Sequence, residues 1–113
     1  MRYMLLICGD ESVALTADES ADMVRSTDAW VTEMDGRGVR LLGSQLRPVA
    51  DATTVHVRAG ETLVADGPFA ETKEQIGGFD VIECADLDEA IEVAAKHPVA
   101  RYGTIEVRPF WEE

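Results

Sequence analysis

Residues 66–79, DGPFAETKEQIGGF, contain more residues that interrupt regular secondary structure than any other stretch of the chain. Its Gly67-Pro68 step prevents a helix or a strand from continuing, because proline fixes its own φ and keeps the preceding residue out of the α region. Three ionisable side chains follow within the length of one helical turn, and Gly77-Gly78 then frees the backbone before an apolar run. The stretch predicts a structured loop that ends one strand and leads into the next.

Hydrophobic periodicity on either side of this loop predicts two helices and six strands. Thr16 with Glu19, or alternatively Asp18, can cap the first helix, and Asp86 with Glu89 has the spacing of a capping box for the second. In chain order, the prediction is strand 3–8, a helix that follows its cap and ends at Gly36 and Gly38, strand 39–42, hairpin arms 53–58 and 62–65, strand 79–84, a helix from Asp86 that stops at His97-Pro98, and strand 103–109.

Both helices carry apolar stripes at helical spacing, which indicates one buried face each. We interpret these stripes as core rather than as a cofactor site. The predicted buried residues are Met23, Thr27, Trp30 and Met34 on the first helix, with Val24 and Val31 beside them, and Leu87, Ala90, Ile91 and Ala94 on the second.

Without residues 45–77, the order of elements is strand, helix, strand, strand, helix, strand. That is the order of a ferredoxin-like α+β domain, in which two helices cover one face of a four-stranded antiparallel sheet. The hairpin and loop of about residues 45–77 are then an insertion on this frame. The length of 113 residues predicts one domain, residues 1–113.

The first strand predicts an oligomer. Residues 3–8 are apolar on both alternating faces, and a strand of this kind requires cover above and below. Helices on one side of the sheet leave the other side bare, and a second copy packed face to face would cover it. The sequence therefore predicts a homodimer.

Composition excludes several classes of function. Ten Lys and Arg against 22 Asp and Glu give a net charge of −12, which opposes binding to nucleic acid and to anionic membranes. The two cysteines, Cys8 and Cys84, lie in apolar runs and indicate reduced, buried thiols. No run is long enough to span a membrane, and the N-terminus lacks a signal-peptide cleavage site, so we expect a soluble cytoplasmic protein. No motif for a metal, a nucleotide or another cofactor is present.

Four motifs in the same order resemble the DGPF subgroup of the YCII-related family, over nearly the whole chain. They are YMLLI followed by GDE at residues 3–11, the 66–79 stretch, ADLDEAIE at residues 85–92, and HP at 97–98 followed by EVRP at 106–109. The resemblance implies a bacterial protein with ferredoxin-like subunits that assemble as a dimeric α/β barrel, with clefts between sheet and loops. It also implies an extracytoplasmic-function sigma factor as a regulatory partner, because such factors are encoded beside, or fused to, some members.

The chain departs from one feature of the wider family. Some relatives are thought to use a histidine on the first helix and an acidic residue near its end, and one is similar to a dehydrochlorinase acting on a chlorinated hydroxyquinol. Here Ser26, Thr27 and Asp28 occupy the region of that histidine, and Asp35 alone matches the acidic partner. That mechanism is not expected here, because neither acid titrates near neutral pH without a large shift.

The loop supplies the first group of candidate site residues. Asp66 follows a strand, where a carboxylate often points into a cleft, and is the candidate acid or base. The structural alternative is an Asx turn that braces Gly67-Pro68. Lys73 stands next to Glu74 and two residues after Glu71, so it either holds an anionic ligand or neutralises its neighbours. Phe69 and Glu71 complete the ligand contacts predicted for this loop.

Other candidates lie outside the loop. His56 projects from the polar face of the hairpin, where a solvated or paired histidine is the alternative to a ligand contact. His97 precedes a proline at a helix end, where a cation suits the helix dipole. Arg108 and Glu106 share the polar face of the last strand; they form either a charge network with Asp80 or the polar floor of a pocket.

Three hypotheses for function follow. In the first, a noncatalytic dimeric domain binds a small ligand or a regulatory protein near the loop. In the second, the chain is a cofactor-independent lyase or isomerase with Asp66 as acid or base and Lys73 or Arg108 as an anion clamp. In the third, the dimer is purely structural. The missing helix histidine places ligand binding ahead of catalysis.

Overall fold

The computed structural model describes residues 1–112, which form two α-helices, six β-strands and two short 3-10 turns. The strands are β1 (Arg2–Gly9), β2 (Arg40–Gln45), β3 (Thr53–Arg58), β4 (Glu61–Asp66), β5 (Gln75–Glu83) and β6 (Thr104–Pro109). The helices are α1 (Ala17–Gly36) and α2 (Leu87–Ala95), and the 3-10 turns cover Val49–Asp51 and Pro98–Arg101. The predicted order and type of the helices and strands are confirmed, whereas the two 3-10 turns were not predicted.

Four strands form one antiparallel sheet in the order β2-β5-β1-β6, which fits a ferredoxin-like fold. The strand that is apolar on both faces, β1, lies in the interior of the sheet, between β5 and β6. Its residue Leu5 lies opposite Asp80 of β5 and Val107 of β6. Strands β3 and β4 form a separate two-stranded sheet.

The core lies between the two helices and one face of the four-stranded sheet. A hydrogen bond from Trp30 Nε1 to the carbonyl oxygen of Val93, 3.0 Å long and buried, joins α1 to α2. Because this donor is satisfied, the indole can fill the core without a desolvation penalty. The core residues are Tyr3, Leu5, Ile7, Trp30, Met34, Val39, Ile82, Cys84, Ala90, Val93 and Ala94.

Both helices begin where the sequence predicted. Thr16 Oγ1 accepts a hydrogen bond from the Glu19 N–H at 3.1 Å, and the Glu19 carboxylate accepts from the Thr16 N–H at 3.0 Å, which completes a capping box. Asp86 accepts from the Glu89 N–H at 2.9 Å, so it caps α2 as expected. Among the described residues, neither helix is long and apolar enough to cross a membrane.

Strands β2 and β5 extend three or more residues past one predicted end, because glycines that were interpreted as breaks lie inside them. Strand β2 continues through Gly43 and Ser44, and β5 starts at Gln75 and includes Gly77-Gly78. A Cβ on Gly43 would lie 2.0 Å from Asp80 Oδ1 and 2.8 Å from the Phe79 carbonyl oxygen. Glycine at this position permits a close approach between β2 and β5 and does not end the strand.

The segment before β5 is a loop, as the sequence predicted. Residues 67–74 have an irregular backbone. The Gln75 side-chain amide donates to the carbonyl oxygens of Ala70 and Thr72 at 3.1 and 3.2 Å and so closes the loop on itself. These side-chain bonds satisfy carbonyl groups that a helix would otherwise have paired internally.

The buried face of α2 differs in part from the predicted one. Ala90, Val93 and Ala94 are buried, whereas Leu87 and Ile91 are 49% and 51% exposed. The observed buried face is rotated by part of a turn from the predicted one. The small alanines, and not the larger Leu87 and Ile91, face the sheet and allow the helix to approach it closely.

The opposite face of the four-stranded sheet carries no helix within residues 1–112. Leu6, Leu42 and Val81 lie on this face, which we call the open face, together with an ion pair between Arg108 and Glu106. The separate hairpin of β3 and β4 also exposes apolar side chains, namely Val55, Val57, Leu63 and Val64. A two-stranded hairpin without further cover has marginal stability in water.

Candidate functional site

A cavity of about 370 Å³ opens between α1 and the helix-covered face of the sheet. Its apolar wall includes Ile7 of β1, Met23 and Val31 of α1, and Val99 of the turn after α2. Polar groups reach it from separate elements: Thr27 and Asp28 from α1, Arg40 from β2, Asp80 from β5 and His97 from the connection to β6. An apolar wall with a few polar groups is typical of a small-molecule site.

Asp80 is a charged side chain in the middle of the buried strand β5, and it is only 6% exposed. Its Oδ1 accepts a hydrogen bond from Arg40 Nε at 2.8 Å, and Arg40 Nη1 lies 3.4 Å from Asp35 Oδ1. Burial raises the pKa of Asp80, and the hydrogen bond from Arg40 opposes that shift. Among residues 1–112, Oδ2 of Asp80 accepts no hydrogen bond, and no fully buried side-chain oxygen or nitrogen lacks a partner. Oδ2 is therefore not fully enclosed by protein atoms, and Asp80 is one of the residues that line the cavity.

His97 is 4% exposed and forms part of the cavity wall. Its Nδ1 accepts a hydrogen bond from the Val99 N–H at 3.1 Å, and its ring meets the Trp30 ring edge-on with 4.8 Å between centroids. Burial lowers the pKa of His97 to about 4, so the ring is neutral at pH 7. Since Nδ1 is the acceptor, the proton of the neutral ring lies on Nε2.

Two features of His97 correct the sequence prediction. It does act as a cap, but its side chain caps the 3-10 turn Pro98–Arg101 and not the end of α2. The prediction of a cation at the helix end is wrong, because burial between Trp30 and the turn keeps the ring neutral.

Asp80 and His97 are the only buried polar or charged residues among residues 1–112, and both line the same cavity. Burying a polar or ionised group costs stability unless it is paired. A group whose pKa is perturbed by burial inside a cleft is a candidate for function. These two residues define the candidate site, with Arg40 as the partner of Asp80.

A second hollow, also of about 370 Å³, lies beside the 66–79 loop. Two of the predicted ligand contacts, Glu71 and Lys73, line it together with Asp10 and Glu11 from the segment after β1. Three carboxylates around one ammonium group repel an anion more than that group attracts it. The surroundings of Lys73 therefore favour its role as a neutralising cation over that of an anion clamp.

Asp66 and Phe69 line neither of these two cavities. The Asx turn considered for Asp66 is not formed among the described residues. The Gly67 N–H instead donates to the Ala52 carbonyl oxygen at 2.8 Å, and the Thr54 hydroxyl donates to the Gly67 carbonyl oxygen at 2.7 Å. Phe69 is 85% exposed.

His56 and Arg108 also lie apart from the cavity. His56 lies opposite Leu63 on the exposed hairpin. Arg108 forms an ion pair with Glu106 on the open face. The predicted charge network of Arg108 and Glu106 with Asp80 is wrong. Side chains alternate along a strand, and Asp80 points to the helix-covered face, opposite to the open face. The structure thus brings Glu71 and Lys73 together and leaves the other predicted site residues apart.

Sequence reasoning missed the pair of Asp80 and Arg40, although one signal was present. Asp80 interrupts the apolar run 79–82, and a carboxylate inside a buried strand requires a partner. The identity of the partner depends on the register between β2 and β5, and Arg40 is 40 positions away in the chain. His97 was considered but interpreted as a helix-end residue, since a histidine before proline is an ordinary way to end a helix.

The described residues contain no group of three His, Cys, Asp or Glu side chains arranged to hold a metal ion. Both cysteines are free thiols. Burial raises the pKa of Cys8 and of Cys84, so both stay protonated at neutral pH and are poor nucleophiles. The chemistry available in the cavity is that of one carboxylate, one neutral imidazole and one guanidinium group.

Comparison with known proteins gives two similarities. The family model of the YCII-related domain matches residues 1–113. An uncharacterized protein of Rhizobium meliloti (strain 1021) is 42% identical over 113 residues, which is 96% of this chain and 91% of the relative. Both similarities include the segments that build the cavity.

Proposed function

Because the chain belongs to the YCII-related domain family, we propose that it is a small-molecule-binding domain whose ligand occupies the cavity between α1 and the sheet. One observation carries the proposal: the two buried polar residues among residues 1–112, Asp80 and His97, both line that cavity. A core that served only stability would place apolar side chains at these positions. The ligand binds by apolar contact with the wall and by hydrogen bonds to these two groups.

Filling the cavity is expected to abolish ligand binding. Thr27 is half-buried in the cavity wall, and Thr27→Phe places a ring in the space that the ligand requires. A ligand present at one hundred times its Kd stabilises the unmodified protein by about 2.7 kcal/mol, and this stabilisation should disappear in the variant. Differential scanning fluorimetry with a library of small neutral, acidic and basic compounds measures it.

Two controls make this experiment specific. Ser26→Phe adds the same ring at the neighbouring exposed position of α1 and should leave binding unchanged. Asp66→Asn and Lys73→Met test the alternative site at the 66–79 loop. A ligand whose stabilisation survives Thr27→Phe but is lost in Lys73→Met would place binding at the loop, and the absence of any ligand would favour the purely structural hypothesis.

We propose further that the domain is a homodimer in the form of an α/β barrel, with the open face of the sheet as the interface. The chain exposes 7932 Å², whereas a compact monomer of 12.3 kDa is expected to expose about 6,100 Å². The excess is larger than the roughly 800 Å² that each partner loses in a standard interface. The radius of gyration of 16.0 Å also exceeds the value of about 13 Å for a compact domain of this length.

A charge on the open face is expected to dissociate the dimer. Leu42 is 53% exposed on this face, so Leu42→Arg is tolerated by the subunit but places an unpaired cation inside the interface. Sedimentation velocity at micromolar concentration should show a dimer for the unmodified protein and a monomer for the variant. Ile91→Arg, an equally exposed apolar position on the helix side, should remain dimeric. An unmodified protein that sediments as a monomer would contradict the proposal.

We propose in addition a subgroup, an origin and a compartment for the chain. The 66–79 stretch, DGPFAETKEQIGGF, supports membership of the DGPF subgroup and, with it, a bacterial origin and the reading of the hairpin as an insertion. Two free thiols support a reducing compartment such as the cytoplasm. A sigma factor as a regulatory partner stays a prediction from the family resemblance.

A further inference from the structure

The two buried polar residues of the cavity offer complementary groups. Asp80 is held through Oδ1 by Arg40 Nε at 2.8 Å, which leaves Oδ2 as an acceptor on a residue that lines the cavity. His97 is held through Nδ1 by the Val99 N–H at 3.1 Å, which leaves Nε2–H as a donor. In each residue one polar atom fixes the orientation of the side chain, and the other is unused by the protein among the described residues.

Stability alone does not account for either residue. A buried ion pair such as Asp80 with Arg40 is often no more stable than apolar side chains of similar volume. The cap that His97 provides for the 3-10 turn would be supplied as well by Asn, Asp or Ser, without burying an imidazole. We therefore attribute the presence of a carboxylate and a neutral imidazole in the cavity wall to their chemistry and not to stability.

We infer that the cavity catalyses proton transfer at a carbon next to the carbonyl group of a small uncharged ketone, with Asp80 as the base and His97 as the hydrogen-bond donor to the carbonyl oxygen. The inference rests on the proposed function, because it requires that the ligand occupy this cavity. An uncharged ketone suits a protein of net charge −12 and a wall that is mainly apolar. Arg40 acts as a positioning residue, since it holds Asp80 and does not itself contact the reacting atoms.

The reaction is a redox-neutral isomerisation. Asp80 Oδ2 takes the proton from the α-carbon, and the electron pair of the broken C–H bond forms a carbon–carbon double bond. The carbonyl π pair moves to oxygen, where the His97 Nε2–H stabilises the developing negative charge. The protonated Asp80 then returns the proton, either to the α-carbon, which gives exchange, or to the γ-carbon of a β,γ-unsaturated ketone, which shifts the double bond into conjugation. No cofactor or second reactant takes part.

The test uses cyclohex-3-en-1-one, whose isomerisation to the conjugated ketone is followed by ultraviolet absorbance. The unmodified protein should accelerate the isomerisation above the buffer rate. Asp80→Asn keeps an acceptor for Arg40 but removes the base, so the second-order rate constant should fall by at least about 100-fold. His97→Asn keeps an acceptor for the Val99 N–H, but its shorter side chain places no donor at the position of Nε2, and a loss of about 100-fold is expected. Asp22→Asn, which removes the carboxylate of an exposed Asp–Arg pair on α1, should leave the rate unchanged.

Binding of the saturated analogue cyclohexanone separates the two proposals. Chemical shifts of the methyl groups of Met23 and Val31 report whether the ring enters the cavity. If cyclohexanone binds there but the unmodified protein neither isomerises the enone nor exchanges the α-hydrogens of cyclohexanone for deuterium, the catalytic inference fails and the proposed ligand site stands. If neither ketone perturbs these methyl groups, the proposed ligand site and the catalytic inference both fail for ketones. If Asp80→Asn does not fold, the His97→Asn rate and the deuterium exchange by the unmodified protein still decide the question.

Discussion

Gly43→Ala is expected to lower the free energy of unfolding by about 3 kcal/mol, because it crowds a site that has no spare volume. The added Cβ would lie 2.0 Å from Asp80 Oδ1 and 2.8 Å from the Phe79 carbonyl oxygen. The carboxylate can escape only by leaving Arg40, and the carbonyl belongs to a paired strand that does not yield. The same displacement removes Asp80 from its orientation toward the cavity, so the variant should lose ligand binding together with stability.

Urea unfolding followed by circular dichroism measures this change. Gly36→Ala is the matched control, since a Cβ there meets no atom within 4 Å apart from its own helix, and alanine is the better helix former by about 1 kcal/mol. A Gly43→Ala variant that unfolds at the same urea concentration as Gly36→Ala would show that β2 and β5 can move apart at little cost.

Lowering the pH from 7 to 5 is expected to remove about 2 kcal/mol of stability through His97 alone. In the folded state burial lowers the pKa of His97 to about 4, against 6.5 for the unperturbed side chain. Between these two values the unfolded state binds the proton and the folded state does not, so the unfolded state is favoured increasingly as the pH falls from about 6.5 to about 4. Below pH 4 both states are protonated and the contribution of His97 stops changing.

His97→Asn isolates this contribution, because asparagine retains an acceptor for the Val99 N–H but does not titrate. Urea unfolding at pH 7 and pH 5 should show a loss for the unmodified protein that is about 2 kcal/mol larger than the loss for the variant. Comparison with the variant removes the background of carboxylates, including Asp10 and Glu33, whose hydrogen bonds lower their pKa values. Equal losses in the two proteins would mean that water or a conformational change solvates the imidazole in the folded state.

The fold was predictable because its signals are local. The capping spacing of Thr16 with Glu19, the two-sided apolar character of β1, and the alternation in residues 53–58 each depend on a few neighbouring residues. The glycines of β2 and β5 were misinterpreted because a local rule was applied to a long-range contact. In sequence, a glycine that ends a strand looks the same as a glycine that makes room for the carboxylate of the next strand.

The site was not predictable to the same degree, because it is assembled from register. The sequence predicted a site from residues that lie close together in the 66–79 loop, yet of these only Glu71 and Lys73 line the same cavity. Asp80, Arg40 and His97 lie in three different segments, and nothing in any one of them indicates the others. A buried carboxylate in an apolar strand predicts that a partner exists, but only the pairing of β2 with β5 identifies it.

The hydrogen bond from the Val99 N–H to His97 Nδ1 ties the mechanics of one turn to whatever occupies the neighbouring space. A molecule that accepts a hydrogen bond from His97 Nε2 also disfavours the opening of the 98–101 segment, because the same ring accepts the hydrogen bond of the Val99 N–H. Thermodynamic reciprocity then requires that opening of this segment weaken the binding by the same factor by which the bound molecule disfavours the opening. Natural sequence variation at an exposed position such as Ala100 or Arg101 would in this way change the affinity for the ligand without contacting it.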